Sequence, residues 1–413
     1  MDDLLRKITG FVLFVLPVSA LWLDSGVSGS TAILILVSLF GLAVFRNNEV
    51  VFDKHEKILL VLFTVFTLYS LASWWWHGLE DSGIKHAGRQ LRFILIIPVY
   101  FWLRRIESPS AFMRYGIIIG AIISLIAVIY EIQKLGMHRP RNTLNPILFG
   151  DIALILGFMA FALKDMEITK PVFLRFLPVI ALFSGITASI MSGTRGAWIA
   201  IPTLFLVYIA LHWRNFDLRS RISITLMVLI FPMIVYLVPA TGIESRVNLA
   251  LNDVDAYFTE RITSTSLGLR LEAWRAAYYM AVEHPLFGVG FGRFKQESTI
   301  LVENGTVLEN ANAFDHPHND YLYQLSVNGL IGLVLLILMY LYPLYLFYKS
   351  VSSSDLEIKA LSIAGLYLVI GYMHFSLTET LMVRSTPISF YSFFILALLA
   401  LISNRRDSLA RSK

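Results

Sequence analysis

Long apolar stretches recur along nearly the whole chain, and they decide most of what it can fold into. Such runs occur near residues 8–23, 29–45, 58–76, 91–103, 111–130, 146–163, 172–190, 197–212, 222–239, 321–348, 358–376 and 385–403. A helix of about 20 apolar residues spans a hydrocarbon core of about 30 Å. In lipid every backbone N–H and C=O must be satisfied within the segment, so these runs predict helices. The expected fold is all-α and polytopic, with about twelve transmembrane helices. Nine of them fall in 1–239 and three in 321–413, with a cytoplasmic tail, and an extramembrane segment over 240–320 separates the two groups. Composition agrees: 56% of the 413 residues are hydrophobic and 15% charged, against about 25% charged in soluble domains.

Cysteine is absent, which excludes a disulfide framework and a thiolate metal site. The formal charge of +5 is modest, and no basic stretch interleaves with aromatics on a soluble face, so nucleic acid is not an expected partner. Arg6-Lys7, the apolar run to Leu16 and Val18-Ser19-Ala20 have the outline of a signal peptide. An uncleaved first span fits the even number of spans better.

One set of alternate loops is basic throughout, including Arg46, Lys54 and Lys57, then Arg104 and Arg105, then Arg214, Arg219 and Arg221, and finally Arg405 and Arg406. The bias of Lys and Arg towards the cytoplasm puts this set, and both termini, inside. The opposite face carries 240–320 and isolated arginines: Arg89, Arg139, Arg141, Arg195 and Arg384. Each could snorkel or pair with Glu80, Asp81, Glu131 or Glu379; gathered on one face, they fit a shared anionic ligand better.

Within 240–320, Val247, Leu251, Val254 and Phe258 recur at helical spacing, as do Leu267, Leu271, Trp274 and Tyr278. Two helices are expected there, with Ser264 or Ser266 capping the second and His284-Pro285 ending it. Gly288-Val-Gly-Phe-Gly292 reads as turn chemistry, since no strand–turn–helix surrounds it. The polar stretch 295–313 reads as a surface loop that could close over a substrate.

His316-Pro-His318-Asn319-Asp320 is the densest polar cluster beside a span. A histidine, with an ordinary pKa of about 6.5, can accept and return a proton near neutrality. Metal ligation by the two histidines would need an extended segment and a third ligand, which the spacing does not supply. Capping the next helix, general-base chemistry and phosphate binding all stay open. A metal-independent site, with positive charge supplied by arginine, fits the composition better than one built on the paired acids Glu80-Asp81 or Asp253/Asp255.

His318-Asn319, nine residues, then Gly329-Leu-Ile-Gly332 resembles the signature of the O-antigen ligase family, within the wider O-antigen ligase/polymerase superfamily. Ser192-Gly-Thr-Arg195-Gly-Ala-Trp, Thr265-Ser-Leu-Gly268-Leu-Arg270 and Arg384-Ser-Thr-Pro387 resemble it too. The resemblance implies a GT-C-like inner-membrane glycosyltransferase of twelve helices. It would transfer O-antigen polysaccharide from undecaprenyl diphosphate to a sugar of lipid A–core at the periplasmic face, without metal or cofactor. On the matching positions, His318 would be at the catalytic centre and Arg195 and Arg270 would hold the donor diphosphate. Arg89, Arg139, His316, Asn319 and Arg384 are further candidates for substrate binding. A polymerase or a protein-directed ligase shares this chemistry. A transporter of lipid-linked sugar would call for ionisable residues at mid-span and broken helices, whereas Asp151 is the one acid within an expected span.

Overall fold

The computed structural model describes residues 2–23, 25–45, 50–78, 81–106, 110–137, 144–167, 171–213, 216–223, 225–226 and 243–412. Among these the secondary structure is helical, without strands. The expected all-α polytopic fold is what forms.

The first group comprises α1 (Asp2–Ser19), α2 (Gly26–Val44), α3 (Lys54–Trp76), α4 (Asp81–Gln90), α5 (Arg92–Leu95) and α6 (Ile97–Arg105). It continues with α7 (Ser110–Leu135), α8 (Pro146–Ala162), α9 (Val172–Met191), α10 (Arg195–Trp198) and α11 (Ala200–His212). Three helices of the extramembrane segment follow: α12 (Ile243–Glu260), α13 (Ser266–Glu283) and α14 (Phe294–Glu303). The chain ends with α15 (Asp320–Val351), α16 (Leu356–Phe375) and α17 (Ser385–Arg411).

Among the described residues eight helices have the length and apolarity to cross a membrane, with α10 and α11 counted as one, and α8 is a shorter apolar helix. The expected span at 8–23 is α1, whose Leu13 and Leu16 are buried in the core. That at 91–103 is not one helix: the chain bends at Ile96, between α5 and α6. Pro98 at the start of α6 has no N–H to donate, so a new helix begins there readily. The expected span at 222–239 and the candidate Arg139 lie largely or wholly outside the described residues.

α16 and α17 form the centre of the bundle, packed on one another, with α15 and α8 against α16. At the end opposite α12–α14, a buried ion pair ties three helices together. Arg104 Nε of α6 lies 2.9 Å from Glu56 Oε1 of α3, and Arg104 Nη1 lies 3.0 Å from Asp407 Oδ2 of α17. Tyr100 also donates to Glu56 at 2.6 Å.

A second, smaller core gathers α13, α14 and the start of α15. Ala273, Ala276, Ala277 and Met280 of α13 pack with Val289, Phe291, Phe294, Tyr323 and Val327. Two expectations are corrected here. The cap of α13 is Thr265, which accepts from the Gly268 N–H at 3.0 Å, rather than Ser264 or Ser266. The stretch 295–313 is not a surface loop: α14 occupies its first half, burying Phe294, Ser298 and Leu301 at helical spacing, and Val307 and Ala311 are buried beyond it.

Candidate functional site

The two cores meet where the chain re-enters the bundle at α15, and the polar cluster lies at that junction. Asn319 caps α15 by accepting from the Leu322 N–H at 3.0 Å, while its Nδ2 donates to the Leu377 carbonyl at 3.1 Å. Asp320, fully buried, accepts from Ser376 Oγ at 2.8 Å and from the Leu381 and Met382 N–H groups at 3.0 Å each. A carboxylate saturated in this way can be buried. The result is that the α16–α17 connection, residues 376–384, is pinned onto the start of α15.

That connection supplies the two residues that complete the cluster. Glu379, with no exposed surface, faces His318: Oε2 lies 3.1 Å from His318 Nδ1. Arg384 donates through Nε and Nη2 to Glu379 Oε1, at 3.3 Å each, and through Nη2 to His316 Nε2 at 3.1 Å. Burial pushes the Glu379 carboxyl up, but the hydrogen bond from His318 and the Arg384 charge outweigh it and hold the group at about 2. Burial, then the Arg384 charge, pushes His316 down to about 4. A neutral His316 suits its role, because only an unprotonated ring nitrogen can accept from a guanidinium.

His318 is fixed from several sides. Trp274 of α13 donates to the carbonyl of Pro317 at 2.8 Å, and Phe314 stands edge-on to the His318 ring at 4.5 Å between centroids. The His318 backbone has φ of 51°, a left-handed conformation that a non-glycine residue keeps only where its surroundings impose it. With Nδ1 turned to Glu379, Nε2 is the nitrogen left for a substrate proton.

α4 forms the next wall. Arg89 donates to the Val383 carbonyl at 3.0 Å, and Gln90 donates to the Met382 carbonyl, so α4 clamps the turn that precedes Arg384. Its His86 is buried against Phe291, 6.1 Å between ring centroids. Burial first, then Arg89, lowers the His86 pKa to about 4.

The glycine run has a packing role. Val289 and Gly290 donate to the carbonyls of Ser326 and Val327 at 3.0 and 2.9 Å, and Leu330 donates to Pro285 at 2.8 Å. α15 is broken at Gly329, with φ 65° and ψ −164°. A Cβ on Gly329 would lie 2.2 Å from the Leu286 carbonyl carbon, and one on Gly288 would lie 2.3 Å from that of Val327. These two glycines let backbone meet backbone and hold the second core onto α15.

Arg195 and Arg270 enter from two other directions. Arg195 is exposed at the first position of α10, after a turn in which Ser192 and Thr194 share a hydrogen bond of 2.7 Å and Thr194 donates to Pro146. A Cβ on the next residue, Gly196, would lie 2.1 Å from Thr378 Oγ1, so this helix start abuts the connection that carries Glu379. Arg270 is half-buried on α13, one turn before Trp274 and on the same face. Glu272, two residues further on, is buried and accepts from Tyr257 and from the Leu308 N–H, with Arg275 at 3.6 Å.

Of the sequence candidates, His316, His318, Asn319, Arg384 and Arg89 are brought together directly, and Arg195 and Arg270 border them. Glu379 and Asp320 are the residues that spacing did not single out as site residues. Glu379 also supplies the third ligand that the histidine spacing lacked, since ligand atoms of His316, His318 and Glu379 lie within 4.8 Å of one another. This set does not suit a metal ion. The Arg384 guanidinium is hydrogen-bonded to two of the three groups and fills the position of a cation.

Fold and site together describe a polytopic helical membrane protein with arginine and histidine chemistry gathered at one end of the bundle. Comparison with known proteins gives that class its family resemblance: residues 180–337 match the family model described as O-antigen ligase. The match contains Arg195, Arg270 and His318, and the resemblance read from the motifs is borne out. A protein of Haemophilus influenzae described as uncharacterized is 25% identical over 362 residues, covering 86% of this chain and 90% of that protein. The ComP-specific O-oligosaccharyltransferase of Acinetobacter baylyi is 26% identical over 227 residues, covering 53% of this chain and 38% of that protein. The family description and the name of the second relative support a glycosyl-transferring membrane enzyme.

Proposed function

We propose that this protein transfers O-antigen polysaccharide from undecaprenyl diphosphate to a sugar of lipid A–core, at the periplasmic face of the bacterial inner membrane. The observation that carries the reading is the His318–Glu379 pair set beside Arg384, with Arg195 and Arg270 bordering it. Glu379 orients Nδ1 of His318, so Nε2 takes the proton of the acceptor hydroxyl as its oxygen attacks the anomeric carbon. The bond from that carbon to the diphosphate oxygen breaks, and undecaprenyl diphosphate leaves. Arg195 and Arg270 stabilise the charge growing on the diphosphate in a water-poor setting, where such donors act most strongly. Arg384 holds Glu379 ionised, and Arg89 keeps the Arg384 turn in place while lending charge to the anionic ligand. No metal is needed, because guanidinium groups carry the positive charge.

The orientation follows from the basic loops, with both termini in the cytoplasm. The oligosaccharyltransferase relative, which acts on a protein according to its description, keeps a protein-directed ligase as the second reading. The test is transfer in EDTA by purified protein, given undecaprenyl-diphosphate-linked glycan and lipid A–core. Glycosylated lipid A–core supports the reading; donor chains that lengthen instead identify a polymerase.

A further inference from the structure

The buried carboxylate of the site cannot reach a substrate. Glu379 has no exposed surface, and its oxygens are taken by His318, Arg384 and the Thr380 N–H at 3.0 Å. Asp320 is likewise buried and saturated. The open carboxylate next to the cluster is that of Asp315, whose side chain is 60% exposed. Its Oδ1 lies 3.3 Å from His316 Nε2. Arg384 Nη2 donates to the same His316 nitrogen at 3.1 Å, so the Asp315 carboxylate stands beside the Arg384–His316 hydrogen bond. Asp315 therefore stands at the mouth of the site, where His318 lies beyond His316, their rings 4.6 Å apart.

Resting on the reading above, we propose that Asp315 is the acceptor-recognising residue, accepting hydrogen bonds from hydroxyl groups of an uncharged sugar and setting its nucleophilic oxygen towards His318. Arg195, exposed, and Arg270, half-buried, border the cluster and suit phosphate oxygens. An ionised carboxylate repels phosphate but takes two vicinal hydroxyls, so it marks the side of the site that the donor diphosphate avoids. Burial raises the Asp315 pKa, but the positive surroundings, to which the Arg384 guanidinium contributes at every working pH, hold it below its ordinary value. The floor beneath it is fixed, since His86 is buried on α4 and the His316 ring is held by Arg384.

The test compares wild type, Asp315→Asn and Asp315→Glu, with undecaprenyl-diphosphate-linked glycan as donor. Transfer to lipid A–core and release of free glycan to water without acceptor are both followed. The expected result for Asp315→Asn is a rise in the KM for lipid A–core of about 10- to 100-fold, the range for a lost bond to a charged group. Glycan release to water and the donor KM stay within about twofold, and Asp315→Glu recovers part of the acceptor affinity. A variant that loses kcat at unchanged acceptor KM overturns the proposal and makes Asp315 a support of His316. Equal loss of water release overturns it by placing Asp315 on the donor side. Wild type that neither transfers nor releases glycan removes the functional reading itself, and the inference with it.

Discussion

At the scale of single residues, the site works because each charge is answered by a partner that limits what it can do. Glu379 bonds His318 and Arg384 at once, so it orients the imidazole and stays ionised without touching substrate. Glu379→Gln keeps the shape but loses the charge; kcat should fall by part of the about 10²–10⁴ that a positioned base contributes. The donor KM should hold, and steady-state kinetics at two pH values would show whether it does. Stability should also depend on pH with a definite sign. His316 and His86 have folded pKa values of about 4, below the ordinary 6.5. The unfolded chain therefore binds more protons between about pH 6.5 and 4, and stability falls as pH drops through that window. Glu379, held at about 2, adds a loss below about pH 4.5, where the unfolded carboxyl protonates first. Thermal unfolding in detergent from pH 7.5 to about 2.5 would measure both, and His316→Asn should flatten the upper part of the curve. His316, His318, Asn319 and Arg384 were legible in the sequence because motif and membrane edge coincide. The roles of Glu379 towards His318 and of Asp320 towards Leu381 are not legible locally, because each pair is 61 residues apart along the chain and no local spacing reports such a pair.

At the scale of elements, the buried ion pair Arg104–Glu56 does at one end of the bundle what Asp320 does at the other. It joins helices through groups that cannot be left alone. Arg104→Ala should destabilise the protein by about 3–5 kcal/mol, the cost of leaving one buried charge unpaired, and a matching fall in the detergent unfolding midpoint would register it. Should the midpoint stay put, the pair is not holding α3, α6 and α17 together. The elements also show where sequence reading stops. Apolar runs announced the spans, and i, i+4 spacing announced α12 and α13. α14 reads as loop in the sequence because Lys295, Gln296 and Glu303 are polar and its buried stripe is short: Phe294, Ser298 and Leu301. The break of α15 at Gly329 was likewise hidden inside an apolar run, since only the backbone of residues 285–290 lying against it explains the positive φ.

At the scale of the whole molecule, the account requires the α12–α14 end to face the periplasm. The chain has no cysteine, so single cysteines report orientation without background. Asn304→Cys, exposed just after α14, should react with a membrane-impermeant maleimide in cells whose outer membrane is permeabilised, whereas Ser354→Cys, exposed between α15 and α16, should not. The reverse pattern would turn the protein over and remove the site from the periplasm. The placement of most spans was open to sequence reading because lipid imposes one strong rule on every segment. Which faces pack on which, and hence which polar residues meet, is set by close contacts that no single segment displays. The central claim is a metal-free transfer driven by His318 with arginine holding the diphosphate. The most direct measurement is glycan transfer to lipid A–core in EDTA by wild type, His318→Ala and Arg270→Ala, each checked for intact thermal unfolding. The account predicts full activity of wild type in EDTA and a loss of about 10²–10⁴ for His318→Ala, with Arg270→Ala also failing. Wild type silenced by EDTA and restored by a divalent cation, or His318→Ala that transfers normally, would contradict it.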